Sequence, residues 1–257
     1  MLGVVEKYLL DKIKSEGTIH LTLIDPEKVS AQQAATIAGT SQESGTAAIM
    51  IGGSTFASQT RLDEVVKAIK SRVKIPTILF PNNEKAGISR HADAIWFMSL
   101  LNSTDPYFLV GAQVLGAPLV KKYGLEPLPM GYIIVGEGGA AGRVGKAKTV
   151  PYTKPELAAA HALAGQYLGM RFIYLEGGSG TATPVPPQMI REVKKLLEVP
   201  LIVGGGIKSR ERAASAVSAG ADMIVTGNVT ESSDAKQRID EIITAIRDAK
   251  LNACVKV

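Results

Sequence analysis

The chain has 257 residues, 46% of them hydrophobic and 21% charged, an ordinary globular composition with length enough for one large core. Its net charge of +5 is small and its Lys and Arg residues are scattered, which argues against nucleic acid as a partner and suits phosphorylated substrates. No apolar run approaches the roughly 20 residues that span a bilayer, the start lacks a signal peptide's layout, and the one cysteine, Cys254, excludes an internal disulfide, so a single cytoplasmic domain over 1–257 is expected.

Strand-like and helix-like segments alternate along the chain, the pattern of a parallel sheet with crossovers. Leu9 and Ile13 mark an opening helix. I-H-L-T-L-I at 19–24 reads as the first strand, ending at Asp25-Pro26. Proline keeps Asp25 extended, so its carboxylate stands at the strand's end. A helix over 31–44 leads to a strand over 47–51, which runs into Gly52, Gly53 and Ser54. Residues 59–72 form an amphipathic helix with Leu62, Val65, Val66 and Ile69 on one stripe. A third strand over 75–80 closes at Pro81. Only 82–93 separates it from a fourth strand over 94–98, near the lower limit for a crossover containing a helix. The third helix is therefore expected to be degenerate or missing.

The alternation then resumes. A helix over 105–123 carries Gly111 and Gly116, a fifth strand covers 131–135, and a glycine-rich loop follows over 136–148. Pro155 opens a helix that Gly169 stops. Residues 172–175 are the sixth strand, on which Phe172, Tyr174 and Glu176 share one face. A helix over 187–197 and a seventh strand over 200–203 lead into Gly204, Gly205 and Gly206. A helix over 209–219, capped by Ser209, precedes an eighth strand over 223–225 that ends at Thr226, Gly227 and Asn228. The last helix covers 235–249.

Eight strands are the count of a (β/α)8 barrel. A doubly wound sheet is the alternative, but G-x-G-x-x-G is absent from the first strand–helix turn. In a barrel the chemistry collects at the carboxyl ends of the strands, with phosphate in the seventh and eighth loops. There stand Asp25, Ser54, Glu176, the 204–206 glycines and Gly227-Asn228. Gly177, Gly178, Ser179 and Gly180 add backbone N–H groups and a hydroxyl beside the Glu176 carboxylate, a pairing suited to holding a phosphate while taking a proton. Tight turns alone also account for the glycines. Asp25 and Ser54 offer hard oxygen ligands for magnesium, although Asp before Pro is also a common turn former. His20, His91 and His161 lack ligand spacing and read as structural or surface residues. Aromatic and long apolar residues at 96–98, 107–108 and 130–132 suit either a groove for a long hydrocarbon or plain packing.

An ordered set of segments carries a more specific signal: L-T-L-I-D-P-E-K at 21–28, I-G-G-S at 51–54, L-L-N-S-T-D-P-Y at 100–107, G-A-Q-V-L-G-A-P at 111–118, Y-L-E-G-G-S-G at 174–180, V-G-G-G-I at 203–207 and T-G-N at 226–228. This set resembles the geranylgeranylglyceryl phosphate synthase family, of archaeal type, group II. The resemblance implies a modified barrel whose third helix is replaced. It also implies a Mg2+-dependent prenyltransferase joining geranylgeranyl diphosphate to the sn-3 hydroxyl of sn-glycerol 1-phosphate. Asp25 and Ser54 fall on the metal positions. Tyr174, Leu175, Glu176, Gly177, Gly178, Ser179, Gly180, Gly204, Gly205, Gly227 and Asn228 fall on the glycerol phosphate segments, with Glu176 at the glycerol hydroxyls. A homo-oligomer, dimer or hexamer, is implied too, and peripheral membrane contact stays open. The chain departs from the family's pattern at Arg143, where tryptophan is usual, at Lys146, near a usual acid, at Asp105, a usual asparagine, and at Gly178, a usual alanine. The rivals are another phosphate-binding barrel enzyme and a longer prenyl donor.

Overall fold

The structure, a computed structural model, describes residues 2–53, 58–227 and 235–254, with side chains described to residue 249. Eight parallel strands, β1 to β8 in chain order, close into a barrel in which each strand pairs with its sequence neighbours and β8 returns to β1. They are Ile19–Ile24, Ala48–Ile51, Thr77–Leu79, Ala94–Leu100, Glu126–Ile134, Phe172–Glu176, Leu201–Gly204 and Met223–Thr226. The helices are α1 (Val4–Glu16), α2 (Ala31–Ser44), α3 (Gln59–Arg72), α4 (Ala112–Tyr123), α5 (Gly139–Val144), α6 (Pro155–Tyr167), α7 (Pro187–Leu196), α8 (Arg210–Ser218) and α9 (Ala235–Cys254). No helix among the described residues is long and apolar enough to cross a membrane.

Strand alternation sorts the side chains into two environments. Leu21, Met50, Ile78, Trp96, Met130, Phe172, Ile202 and Val225 fill the barrel interior in one buried cluster. Ile133, Ile173, Leu175, Val203 and Ile224 turn outward onto the stripes of α6, α7, α8 and α9. Ile24, Ile49, Leu79 and Ile95 do the same toward α2 and α3, whose predicted stripe of Leu62, Val65, Val66 and Ile69 is buried.

Between β3 and β4 there is no helix. Residues 80–93 run as turns across the gap, as the short spacing predicts. Helix α4 leans into that space, and a Cβ on Gly116 would already touch Ile88 at 3.4 Å. The expected single helix over 105–123 is instead a π turn, Tyr107–Gly111, leading into α4, with Ala112 N–H bonded to Tyr107 O. The glycine-rich loop after β5 contains the short α5, which was expected as loop.

Strand β5 starts five residues earlier than the sequence suggests, because Pro127 and Pro129 argue against a central strand. The geometry removes the objection. Glu126 donates its N–H to Asp93 on the β4 side. By alternation, residues 127 and 129 would donate toward β6. That strand begins pairing only at Met130↔Phe172, so neither proline removes a ladder bond.

Helix α1 closes the floor of the barrel with Val5 and Leu9 in the interior cluster. Its N-cap, Gly3, has no side chain to offer. Glu126 at the start of β5 takes that role, accepting from the N–H groups of Val5 at 2.7 Å and Glu6 at 2.8 Å. A Cβ on residue 3 would lie 2.1 Å from the Glu126 carboxyl carbon, so glycine is required for the carboxylate to reach the helix end. Replacing Glu126 by Ala should lower stability by about 1–2 kcal/mol, the cost of a lost N-cap, read from chemical denaturation.

Candidate functional site

Strand β6 builds the centre of the site. Phe172 and Tyr174 point into the barrel, and Glu176, on the same face, reaches the rim at 7% exposure. Its Oε1 accepts the Gly178 N–H at 2.6 Å. Tyr174 and, from β5, Tyr132 lie near the same carboxylate, their rings edge-on at 5.2 Å between centroids. Burial pushes Glu176 above the usual carboxylate range, while the Gly178 N–H and then the two phenols pull it back. Burial, with the carboxylate's charge added, holds both phenols well above their ordinary value.

The glycines beside this carboxylate do more than allow turns. A Cβ on Gly204 would sit 2.0 Å from the Tyr174 hydroxyl. On Gly205, at φ +85°, it would sit 2.7 Å from Glu176 Oε1 and 2.7 Å from the Gly178 nitrogen. The loops after β6 and β7 are thus packed backbone to backbone, with Gly177 N–H bonded to Gly204 O at 3.1 Å. Two cations that sequence reading missed stitch them together. Arg212 donates to Gly206 O at 2.7 Å and Ala182 O at 2.9 Å, and Lys208 donates to Gly180 O at 3.1 Å. Ser209 caps α8 as expected, accepting from Arg212 N–H at 3.5 Å.

Asp25 stands at the end of β1, where Oδ1 accepts the Glu27 N–H at 3.0 Å. A Cβ on Gly53 would fall 2.4 Å from Asp25 Oδ2, so the loop after β2 presses against this carboxylate. Ser54 and Asn228 lie outside the described residues. Among the described residues no cluster of three or more His, Cys, Asp or Glu could hold a metal ion. The Asp25 carboxylate on the cavity wall fits magnesium, which takes few protein oxygens and completes its shell with water and phosphate.

One cavity of about 210 Å³ joins these parts. Asp25, Lys28, Glu176, Ser179 and Gly227 line one part, while Ile88, Phe97, Met98, Phe108 and Val120 line the rest together with Asn82, Asn83, Glu84 and Gln113. Its apolar end occupies the gap left by the missing helix. Of the expected groove residues, Met130 is instead fully buried in the core, and Tyr107 bonds through its hydroxyl to Glu84. The side chain of Leu175 points into the outer core, so only its backbone borders the site.

The histidines do not gather. His20 is fully buried between Thr46 and Thr226, at 2.8 and 2.9 Å, and burial lowers its pKa to about 3, leaving it a neutral structural residue. His161 bonds to Leu157 O within α6. Two departures noted in the sequence meet: Lys146 pairs with Asp105 at 2.8 Å, tying the loop after β4 to the one after β5.

With this geometry fixed, comparison with known proteins is decisive. The family model described as "PcrB family" matches residues 11–246. The chain belongs to the PcrB family. The geranylgeranylglyceryl phosphate synthase of Thermofilum pendens is 54% identical over 252 residues, covering 98% of each chain. That of Thermococcus gammatolerans is 52% identical over 96% of this chain and 98% of its own. Among solved structures, (S)-3-O-geranylgeranylglyceryl phosphate synthase of Thermoplasma acidophilum, in complex with the substrate sn-glycerol-1-phosphate, matches with a TM-score of 0.92 at 40% identity. The match covers 96% of this chain and all of that one. A thiamine phosphate pyrophosphorylase of Pyrococcus furiosus, 12% identical with a TM-score of 0.59, shares the barrel alone.

In this PcrB-family chain the crowding at Gly204 makes a sharp test. Gly204→Ala should displace Tyr174 and with it Glu176, and a misplacement near 1 Å lowers turnover on the order of a hundredfold. Steady-state kinetics checks this, with circular dichroism confirming an intact barrel.

Proposed function

We propose that the chain is a prenyltransferase that joins geranylgeranyl diphosphate to the sn-3 hydroxyl of sn-glycerol 1-phosphate, giving geranylgeranylglyceryl phosphate and diphosphate. The observation that carries this reading is the shared cavity. A buried carboxylate stands in it, with the crowded glycine turns after β6 and β7 directly behind that carboxylate, and a largely apolar wall that includes Ile88, Phe97, Met98 and Phe108 lines the side toward the helix gap. A phosphoester of three carbons suits the first, and a long isoprenoid tail suits the second. The relatives' names agree with that division.

The chain's own residues then have defined tasks. With the Gly177 and Gly178 N–H groups taken up by Gly204 O and Glu176, the remaining backbone N–H groups of the turns after β6, β7 and β8 meet the phosphate and fix the glycerol. Glu176 accepts the proton of the attacking hydroxyl. That oxygen forms the new ether bond to the allylic carbon, as the carbon's bond to diphosphate breaks and the diphosphate leaves with the electron pair. Asp25, with Ser54, would hold magnesium, which supplies positive charge against the departing diphosphate. The apolar walls keep water from competing for the allylic carbon.

The test is an assay of the purified chain with labelled sn-glycerol 1-phosphate and a ladder of prenyl diphosphates, expecting turnover to peak at the geranylgeranyl length. Glu176→Gln should lower kcat on the order of a hundredfold or more while the fold persists. Asp25→Asn should raise the magnesium concentration needed for half-maximal rate, and an unchanged titration would remove Asp25 from the metal site. Glu176 works as a base only when deprotonated, and burial raises it above the usual 4.5. The rate should therefore fall as pH drops, with its acid limb above that value.

A further inference from the structure

Arg212 occupies the first turn of α8, where the helix dipole favours an acid over a cation. Helix α2 shows what that position does elsewhere in the chain: Ser30 caps the helix, and Gln33, three residues on, bonds back to the cap. Ser209 caps α8, but the residue three further on turns its side chain to two loops instead. One guanidinium nitrogen, Nη1, donates to Gly206 O in the loop after β7 at 2.7 Å. The other, Nη2, donates to Ala182 O in the loop after β6 at 2.9 Å. A planar fork suits two such acceptors, where a lysine ammonium is a point charge.

The bond to Gly206 O has a consequence for the next N–H. Every described peptide is trans, so an N–H points opposite to the carbonyl of its own peptide. With Gly206 O turned onto Arg212, the Ile207 N–H points away from the guanidinium. Ile207 is 4% exposed, and no acceptor among the described residues takes that N–H. A buried backbone donor without a protein partner is rare. This one follows Gly205 and Gly206, both at positive φ, in the kind of turn whose N–H groups receive anions. Glycine also lets the 206–207 peptide rotate easily, and a half-turn would set a carbonyl oxygen where the N–H now points.

We propose that Arg212 is a positioning residue for the phosphate of the glycerol substrate, its clamp on Gly206 O and Ala182 O holding the Ile207 N–H toward that phosphate. The proposal rests on the placing of phosphate at the turns after β6 and β7. The guanidinium acts from behind the backbone and touches no reacting atom. Its charge, with that of Lys208 on Gly180 O, also raises the positive potential that an anion meets at these loops.

Arg212→Met keeps a long stem and removes the donors and the charge. It should raise KM for sn-glycerol 1-phosphate about tenfold, the equivalent of one lost bond to a charged group. The change in kcat should stay below about threefold, with KM for the prenyl diphosphate unmoved. Arg212→Lys, which cannot fork, should fall between wild type and Arg212→Met. A second measurement needs no prenyl donor. In 15N-labelled protein, the Ile207 amide signal, assigned by its loss in 15N-isoleucine-labelled Ile207→Val, should shift on adding inorganic phosphate, and Arg212→Met should need about tenfold more phosphate for the same shift. Should Arg212→Met fail to fold, Arg212→Lys carries both readings in the same direction. An Ile207 amide that phosphate does not move in wild type overturns the proposal. So does a wild-type KM and phosphate affinity in Arg212→Met, or a loss confined to kcat; prenyl transfer by wild type in those cases leaves the assigned reaction standing. A phosphate shift that depends on Arg212, in a protein without prenyl transfer, keeps the clamp and removes the assigned reaction.

Discussion

The site depends on keeping one carboxylate charged where water is scarce. Glu176 sits at the barrel rim with almost no exposure, and moving a carboxylate out of water costs several kcal/mol unless donors meet it. The donors come from the loop after β6 and from phenols on two strands, β5 and β6. Their convergence is set by the register of the sheet, in which Tyr132 lies opposite Tyr174 and Glu176 opposite Gly204. Burial leaves the carboxylate more basic than an exposed one, which suits the proton-accepting role proposed for it.

That carboxylate also dictates where backbone must replace side chain. The atoms of Glu176 and Tyr174 occupy the space that Cβ atoms at 205 and 204 would fill. The same absence of side chains lets the loop backbones after β6 and β7 come together beside the carboxylate, which suits the phosphate-holding role proposed for these turns. Arg212 and Lys208 hold the loops in this arrangement through their carbonyls. On the far side, Asp105 and Lys146 join two neighbouring loops. Lys146 is 63% exposed, so this pair contributes little to stability, and its effect is on where the loops sit.

The missing third helix belongs to the same design. Without it, the segment 80–93 and α4 cover the outer faces of β3 and β4, where Leu79 and Ile95 are buried, and both also line the cavity. Pro118 within α4 and the π turn ahead of it displace that helix from regular geometry beside the cavity. The barrel gives up a helix at one crossover, and the cavity lined by that crossover also reaches Glu176.

Much of this was legible in the sequence. Periodicity located all the strands and every helix but α5, and the 82–93 spacing predicted the absent crossover helix, because local pattern is enforced by the two environments on either side of a closed sheet. Asp25, Glu176 and the glycine turns stand at the ends of β1, β6 and β7, where the sequence places them, because strand ends are marked by local chemistry. Pro127 and Pro129 concealed the start of β5, since the harmlessness of a missing N–H depends on where the neighbouring strand begins. Tyr132 was legible as part of the aromatic cluster at 130–132 and lines the cavity, Arg212 and Lys208 carried no local signal, and the Asp105–Lys146 pair joins residues 41 apart. Those relations are distances across strands and loops that a linear pattern does not encode. They exist only once the barrel closes and its register brings the groups together.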